Sequence, residues 1–286
     1  MKYNIIADAG STKIEWVVTD AEWNETQRLT TSGLNALLAG EEEISGLLSE
    51  LKSALPEDAE YGEVHYYGAG CATPAICVKA ENAIRASLGG GEVHAYTDLL
   101  GAARSLHGTQ RGIACILGTG SNSCLYNGRS IEQNVPSLGF ILGDEGSGAA
   151  LGKRLVSDAF KGHLPPVIRE KFLATYELSL AEILEKVYRQ PSPNRYLASL
   201  VPFIKEHLWN PYIYSLVRKE FESFLNRNVQ FYEGARTLPI AFTGSIASNF
   251  SDILKTAAAN LGYKTGKITA HPINGLVEYH RNRARI

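Results

Sequence analysis

The chain has 286 residues, of which 44% are apolar and 20% charged, which is the composition of a globular protein and excludes a disordered or fibrous one. Its 28 basic and 30 acidic residues give a formal charge of -2, so it lacks the basic field that attracts nucleic acid. No run approaches the roughly 20 apolar residues of a membrane span, and the N-terminus leads straight into a strand pattern. We therefore expect a cytoplasmic protein of two domains, without a nucleic-acid or membrane partner.

The N-terminal half alternates strand and helix patterns. Residues 3–8 and 14–19 are predicted to form a β-hairpin around a glycine turn, and 112–117 with 121–126 repeat that arrangement. Between the two hairpins we predict two more strands and two helices, the second of which starts at a proline and ends before three glycines. The strands are 63–67 and 92–96, and the helices are 41–55 and 74–88.

The second half is mostly helical, with prolines separating the segments. Helices are predicted over 146–160, 166–175, 179–189, 195–208, 211–234, 248–261 and from about 274, and strands over 238–242 and 267–269. We thus expect an α/β protein with an N-terminal domain over 1–110 and a C-terminal domain over 111–286. The C-terminal domain should carry a helical insertion at about 150–235.

Three glycine-containing turns follow predicted strands. Such turns let backbone amides and hydroxyls approach phosphate oxygens, although each has a plain structural interpretation as a hairpin or strand-to-helix turn. The first turn also lacks the spacing of a P-loop. The three sequences are Asp8-Ala9-Gly10-Ser11-Thr12-Lys13, Gly118-Thr119-Gly120-Ser121-Asn122-Ser123 and Thr243-Gly244-Ser245-Ile246-Ala247.

Carboxylates stand at two further positions that suit a ligand site. Asp98 lies where a predicted strand gives way to a helix, and Asp144 with Glu145 lies among glycines before another helix. Ligands of open α/β sheets gather at the carboxyl ends of strands, where Asp98 could accept a proton from a substrate hydroxyl. The alternative is that these acids are helix N-caps.

The order of these motifs resembles the sugar kinase, Hsp70 and actin ATPase superfamily. More narrowly, Gly-Thr-Gly-Ser-Asn and Gly-Asp-Glu-Gly-Ser resemble the BadF/BadG/BcrA/BcrD ATPase family and its N-acetylglucosamine kinase branch. The resemblance covers essentially the whole chain. It implies two ribonuclease H-like domains of the actin-like ATPase type, each with a mixed β-sheet flanked by helices. It also implies ATP and Mg²⁺ as cofactors and an amino sugar as the small-molecule substrate.

The resemblance also implies a role for each matching residue. Asp98 matches the catalytic base, and Asp8 matches the acid near Mg²⁺. The residues expected to contact ATP are Gly10, Ser11, Thr12, Lys13, Gly118, Thr119, Gly120, Gly244, Ser245 and Ser248. Those expected to contact the sugar are Asn35, Ser121, Asn122, Gly139 and Asp144. The expected reaction transfers the γ-phosphate of MgATP to the 6-hydroxyl of N-acetylglucosamine.

Several alternatives remain open at this stage. The sequence has Ser137-Leu138-Gly139-Phe140 where kinases of the branch often carry a Trp, so N-acetylmuramic acid or glucosamine could be the acceptor. An activator ATPase of a radical acyl-CoA dehydratase would need exposed cluster cysteines, whereas we expect Cys71, Cys77, Cys115 and Cys124 to be reduced and mostly buried. A sugar-responsive repressor would need a helix-turn-helix, and a non-catalytic binding protein would not need the acids. Aromatic residues of the helical region are assigned to core or homodimer packing.

Overall fold

The computed structural model describes residues 2–10, 12–33, 41–55 and 59–284, without the side chains of 41–45. The described residues fall into two compact units, which we treat separately. Unit 1 comprises the chain up to Gln110, Asn127–Ser130 and the segment from His271 onward. Unit 2 comprises Arg111–Tyr126 and Ile131–Ala270.

The secondary structure is numbered along the chain. The strands are β1 (Lys2–Ala9), β2 (Lys13–Thr19), β3 (Glu25–Ser32), β4 (Glu60–Gly68), β5 (Glu92–Thr97), β6 (Gly112–Leu117), β7 (Ser121–Tyr126), β8 (Ile131–Gln133), β9 (Ile240–Thr243) and β10 (Thr265–Thr269). The helices are α1 (Glu41–Ser53), α2 (Pro74–Leu88), α3 (Asp98–His107), α4 (Gly139–Leu142), α5 (Gly148–Phe160), α6 (Pro166–Thr175), α7 (Leu180–Tyr188), α8 (Pro193–Ala198), α9 (Val201–Glu206), α10 (Pro211–Arg227), α11 (Ser245–Asn249), α12 (Ser251–Asn260) and α13 (Pro272–Arg283).

Unit 1 is built on a five-stranded sheet in the order β3-β2-β1-β4-β5. The β1, β2 and β3 strands are antiparallel neighbours, whereas β1, β4 and β5 run parallel. Successive side chains of β1 point to opposite faces, so Ile5 joins a core with Leu51 of α1, and Ile6 joins a second core with Ile273 of α13. Both faces of the sheet are therefore covered by apolar packing.

Unit 2 repeats this topology with the order β10-β9-β6-β7-β8. Its β6, β7 and β8 strands are antiparallel neighbours, and β6, β9 and β10 run parallel. The α4 to α10 helices lie between β8 and β9 in the chain, and Phe172, Phe203 and Phe221 are completely or almost completely buried in the core that they share with the sheet. The expected α/β fold, with two mixed sheets flanked by helices and a helical insertion, is confirmed.

The structure differs from the predicted elements at several places. The β3 and β8 strands were not predicted, because β3 is largely polar and β8 has only three residues, two of which are exposed. The helix predicted over 195–208 is the pair α8 and α9, and the one over 248–261 is α11 and α12. The helix predicted to reach residue 234 ends at Arg227 and is followed by a short 3-10 turn at Val229–Phe231.

The last helix also departs from the expected division of the chain. Residues 111–286 were assigned to one domain, but α13 packs in unit 1, where Leu276 and Val277 join the core around Tyr67. The domain boundaries 1–110 and 111–286 remain a prediction. The last helix packs with residues of the predicted N-terminal domain instead of the predicted C-terminal domain. None of the helices in the described part of the chain has the length and apolar character that a membrane crossing requires.

Candidate active site

In unit 1 the predicted acids lie at one edge of the sheet. The parallel strands β1, β4 and β5 end side by side, with Ala9 opposite Gly68 and Gly68 opposite Thr97. Asp8 lies at the end of β1, and Asp98 directly follows Thr97. This carboxyl edge is where open α/β sheets bind ligands. The two acids are close enough for the charge of Asp98 to raise the pKa of Asp8.

Asp98 is the first residue of α3 and is half-buried. The interpretation of Asp98 as the N-cap is wrong, because the hydroxyl of Thr97 caps the helix by accepting the amide of Leu100 at 3.0 Å. The Oδ1 atom of Asp98 instead accepts the amide of Leu99 at 2.8 Å. Burial raises the pKa of Asp98 to about 6, although that hydrogen bond opposes the shift. Asp98 is thus a carboxylate held by the backbone that can accept a proton near neutral pH.

Asp8 has a more strongly perturbed environment. Burial and the nearby negative charges of Glu15 and Asp98 raise its pKa to about 7, while Lys13 partly opposes them. Glu15 is the register partner of Asp8 in the antiparallel pair of β1 and β2. The end of β1 is therefore a point of concentrated negative charge.

The first glycine turn connects β1 to β2. The amide of Gly10 donates to the carbonyl of Lys13 at 3.0 Å, and the amide of Gly33 donates to the carbonyl of Thr12 at 3.1 Å. These two bonds fix the backbone on both sides of the turn, which directly follows the strand that carries Asp8. Ser11 and Asn35, two further predicted site residues, lie outside the described residues.

Glu15 was not among the predicted site residues, yet it contacts two charged or titratable groups. Its Oε1 atom accepts from Nζ of Lys13 at 3.0 Å and lies 3.3 Å from Nδ1 of His271. Burial alone would raise the pKa of Glu15, but Lys13 and His271 lower it below its usual value. The spacing of Lys13 and Glu15 on one strand face could have revealed the first contact, whereas no sequence signal connects residues 15 and 271.

In unit 2 the second glycine turn binds a predicted acid. The turn between β6 and β7 is closed by the amide of Gly118, which donates to the carbonyl of Gly120 at 2.9 Å. Asp144 is buried, and its Oδ1 atom accepts the amide of Ser121 at 3.1 Å. A Cβ atom on Gly120 would lie 2.9 Å from Oδ2 of Asp144, so glycine permits this close approach. Burial, and secondarily Glu145, raises the pKa of Asp144.

The same turn is attached to the start of α5. The amides of Gly148 and Ala149 donate to the carbonyls of Gly118 and Thr119 at 2.8 and 3.0 Å. The expectation that Asp144 or Glu145 caps this helix is wrong, since Ser147 is the N-cap and its hydroxyl accepts the amide of Ala150. Thr119 and Gly120 are half-buried, and among the described residues their amides donate no backbone hydrogen bond. These two amides are therefore the donors that the turn can offer to a ligand.

The third glycine turn lies beside the second. Gly244 follows β9, has φ of +108°, and its amide donates to the carbonyl of Thr269 at 3.1 Å. A Cβ atom there would lie 2.3 Å from the carbonyl oxygen of Leu117, so only glycine fits. Ser245 is exposed, and the amide of Ser248 donates to the carbonyl of Gly244.

Two further residues of unit 2, Asn122 and Gly139, were predicted to contact the sugar. The Oδ1 atom of Asn122 accepts from Nδ2 of Asn134 at 3.0 Å, on the side of β7 that leads to β8. Gly139 is an exposed residue at the start of α4. Glu145, the neighbour of Asp144 in the chain, pairs with Arg227 of α10 at 2.5 Å.

The cysteines behave as expected from the sequence. Cys71, Cys115 and Cys124 are buried, and Cys77 is half-buried. Burial raises the pKa of the Cys71 and Cys124 thiols to about 12, so they are protonated at neutral pH. This arrangement differs from the exposed cysteine pairs that a shared iron–sulfur cluster requires.

Comparison with known protein structures identifies the family of the chain. No protein-family model matches it, and no curated protein does. Its structure is similar to that of a putative N-acetylglucosamine kinase from Porphyromonas gingivalis, with a TM-score of 0.93 and 43% identity over 98% of this chain and 99% of that one. The chain belongs to the same family. The expected enzyme class, an N-acetylglucosamine kinase-like phosphotransferase, is thereby confirmed.

More distant structures support the fold alone. A putative N-acetylglucosamine kinase from Chromobacterium violaceum has a TM-score of 0.78 and 20% identity, over 98% of this chain and 99% of that one. A ROK family glucokinase from Streptomyces griseus, solved with glucose and AMPPNP, has a TM-score of 0.57 and 14% identity, over 97% of both chains. None of these structures is described by the BadF/BadG/BcrA/BcrD name, so that finer placement stays a prediction.

Proposed function

We propose that the protein transfers the γ-phosphate of MgATP to the 6-hydroxyl of an N-acetylated amino sugar, with Asp98 as the general base. The observation that carries the proposal is the position of Asp98. It lies at the carboxyl edge of the unit 1 sheet, is half-buried and has a pKa of about 6, so at neutral pH it is a carboxylate ready to accept a proton. Its hydrogen bond from Leu99 fixes one oxygen and leaves the other to meet a substrate hydroxyl.

The reaction follows from these roles. Asp98 accepts the proton of the sugar 6-hydroxyl while the hydroxyl oxygen forms a bond to the γ-phosphorus. At the same time the bond from that phosphorus to the bridging oxygen of ADP breaks. The products are the sugar 6-phosphate, ADP and a protonated Asp98, which returns its proton to water. Most of the rate enhancement in such a transfer comes from positioning and charge neutralisation rather than from covalent chemistry.

The residues around Asp8 fit a magnesium ion. Mg²⁺ is usually held through one or two carboxylates and the substrate phosphates, and Asp8 supplies a carboxylate at the end of a strand. The negative charges of Glu15 and Asp98 that raise the pKa of Asp8 are what a nearby cation would offset. When bound, Mg²⁺ would neutralise phosphate charge. Gly10, Ser11, Thr12 and Lys13 are proposed to contact the phosphates.

Unit 2 is proposed to supply further nucleotide and sugar contacts. The amides of Thr119 and Gly120 at the second turn would donate to phosphate oxygens, and Gly118 shapes that turn. Gly244, with Ser245 and Ser248 after it, is proposed to lie along the adenosine. Ser121, Asn122, Gly139 and Asp144 are proposed to contact the sugar, together with Asn35 from the N-terminal part of the chain, which belongs to unit 1. N-acetylglucosamine is the first candidate, with N-acetylmuramic acid and glucosamine as the others.

The test is ADP release with MgATP across a panel of N-acetylglucosamine, N-acetylmannosamine, N-acetylmuramic acid, glucosamine and glucose, with a blank that lacks sugar. We expect one amino sugar to stimulate ADP release, and phosphate analysis of the product should find a sugar 6-phosphate. Equal slow hydrolysis in every tube would contradict the proposal and would favour an ATPase that acts on a protein partner.

A further inference from the structure

Glu15 is a buried acid that the proposed reaction uses only as a negative charge near Asp8. It is 8% exposed and lies near the turn of the hairpin, opposite Asp8. Like charges directly opposite each other destabilise an antiparallel pair, and burial of a carboxylate adds to that cost. A glutamate at this position therefore needs compensating partners, which the structure supplies in Lys13 and His271.

The two partners come from different parts of unit 1. Lys13 begins β2 and lies on the same strand face as Glu15, and its ammonium is 3.0 Å from Oε1 of Glu15. His271 immediately precedes α13, and its Nδ1 atom is 3.3 Å from the same oxygen. The α13 helix is itself packed closely on α3, because Gly275 lies against the backbone of Ser105. Glu15 thus contacts His271, at the start of the C-terminal helix, on one side and the Lys13 ammonium on the other.

We propose that Glu15 is a positioning residue for nucleotide binding, which holds the Lys13 ammonium at the carboxyl edge of the unit 1 sheet for the phosphates of MgATP. The inference rests on the proposed function, since it takes the bound ligand to be a nucleoside triphosphate. It adds to that function a residue that the glycine-turn motif does not contain.

The physical reason is the freedom of the lysine side chain. Lys13 is 53% exposed, and without a partner its four-carbon chain would sample many rotamers, most of which point away from Asp8. A phosphate that recruits a free lysine must restrict those rotamers on binding, whereas a lysine already held by Glu15 has lost much of that freedom before the ligand arrives. The Glu15 carboxylate is well suited to this role because His271 restrains it from the other side.

The experiment is a double-mutant cycle read by calorimetric titration with MgAMPPNP, which requires no turnover. We expect Lys13→Ala to weaken binding about tenfold, the size of one lost charge-assisted contact. Glu15→Gln should weaken it about threefold to tenfold, and the double variant should bind no more weakly than Lys13→Ala alone. With turnover, Glu15→Gln should raise KM for MgATP and leave kcat within about twofold.

The matched control is Glu63→Gln, which removes a glutamate of β4 that pairs with His65 instead of Lys13. It should leave MgAMPPNP binding unchanged. Equal binding by Glu15→Gln and the wild type, or losses that add in the double variant, would overturn the role of Glu15 while leaving the proposed kinase intact. Absence of MgAMPPNP binding by the folded wild type would overturn both. A melting curve for each variant shows whether it is folded.

Discussion

The two units share one strand order but carry different chemistry at the carboxyl edges of their sheets. In unit 1 the edge gathers carboxylates, with Asp8, Glu15 and Asp98 close enough to perturb one another or share partners. In unit 2 the corresponding edge gathers glycine turns, and Asp144, the acid predicted to contact the sugar, accepts a hydrogen bond from the amide of Ser121. The topology thus decides where a ligand edge lies, and the few residues after each strand decide what that edge can do.

The largest expected effect concerns the acidic edge. Asp98→Asn keeps the size of the side chain but removes the base, so kcat should fall about 10²-fold or more while MgAMPPNP binding persists. Steady-state kinetics with the stimulating sugar measure this loss. Asp252→Asn is the matched control, because Asp252 is an exposed residue of α12 in unit 2, and it should have wild-type kcat. Near wild-type turnover of Asp98→Asn would contradict the assignment of Asp98 as the general base.

The pH dependence of the reaction sharpens the same contrast. A general base works only when deprotonated, so kcat/KM for the sugar should fall as the pH drops through about 6, the pKa of Asp98. Below that value the loss approaches tenfold per pH unit. A profile of kcat/KM from pH 5 to 8 measures it. The residual activity of Asp98→Asn should lack this acid limb, and retention of the limb in that variant would assign it to another group.

Substitution of a glycine at the carboxyl edge of the unit 2 sheet should lower the stability of the protein. Gly244→Ala places a Cβ atom 2.3 Å from the carbonyl oxygen of Leu117 at a backbone φ of +108°, which we expect to cost about 1–3 kcal/mol of unfolding free energy. Thermal or urea unfolding measures the loss. Gly46→Ala is the control, since a Cβ atom there meets nothing within 4 Å inside α1 and should be neutral or stabilising. Equal stability of the two variants would contradict the close packing.

The smallest expected effect is a gain in stability at the acidic edge. The pKa of Asp98 is raised in the folded state, so its carboxylate destabilises the fold increasingly as the pH rises from about 4 to about 6 and by a constant amount above that. Asp98→Asn removes this cost and should unfold at a higher temperature than the wild type at pH 8. The difference should shrink toward pH 4. A lower melting temperature at pH 8 would show that Asp98 stabilises its surroundings.

The sequence predicted those parts of the fold and site that depend on local patterns. The alternation of β1 and β2, the glycine turns and the proline-bounded helices are all encoded within about ten residues. The strand β3 was missed because Glu25–Ser32 has the polar composition of an edge strand, and its pairing with β2 is what makes it regular. The capping error at Asp98 is an offset of one residue, since Thr97 rather than Asp98 supplies the cap.

Contacts over long sequence distances could not be predicted in this way. The bond from Ser121 to Asp144 joins residues 23 positions apart, and the contact of His271 with Glu15 spans 256 positions. Nothing in the pattern around either residue shows its partner, because the meeting point depends on how the loop before α5 and the segment before α13 pack against their sheets. A single sequence therefore indicates which residues are suited to chemistry but not which of them meet.

The return of α13 to unit 1 has a consequence for how the chain is made. Ile6, Val17 and Tyr67 share a core with Ile273 and Leu276, and the ribosome delivers those two residues after the whole of unit 2. Apart from Asn127–Ser130, unit 2 is one continuous segment, so it can complete its core during synthesis while the first sheet carries α3 but still lacks α13. The first sheet to be translated is thus the last to be finished, and its face toward α13 is the surface that a folding chaperone would find exposed.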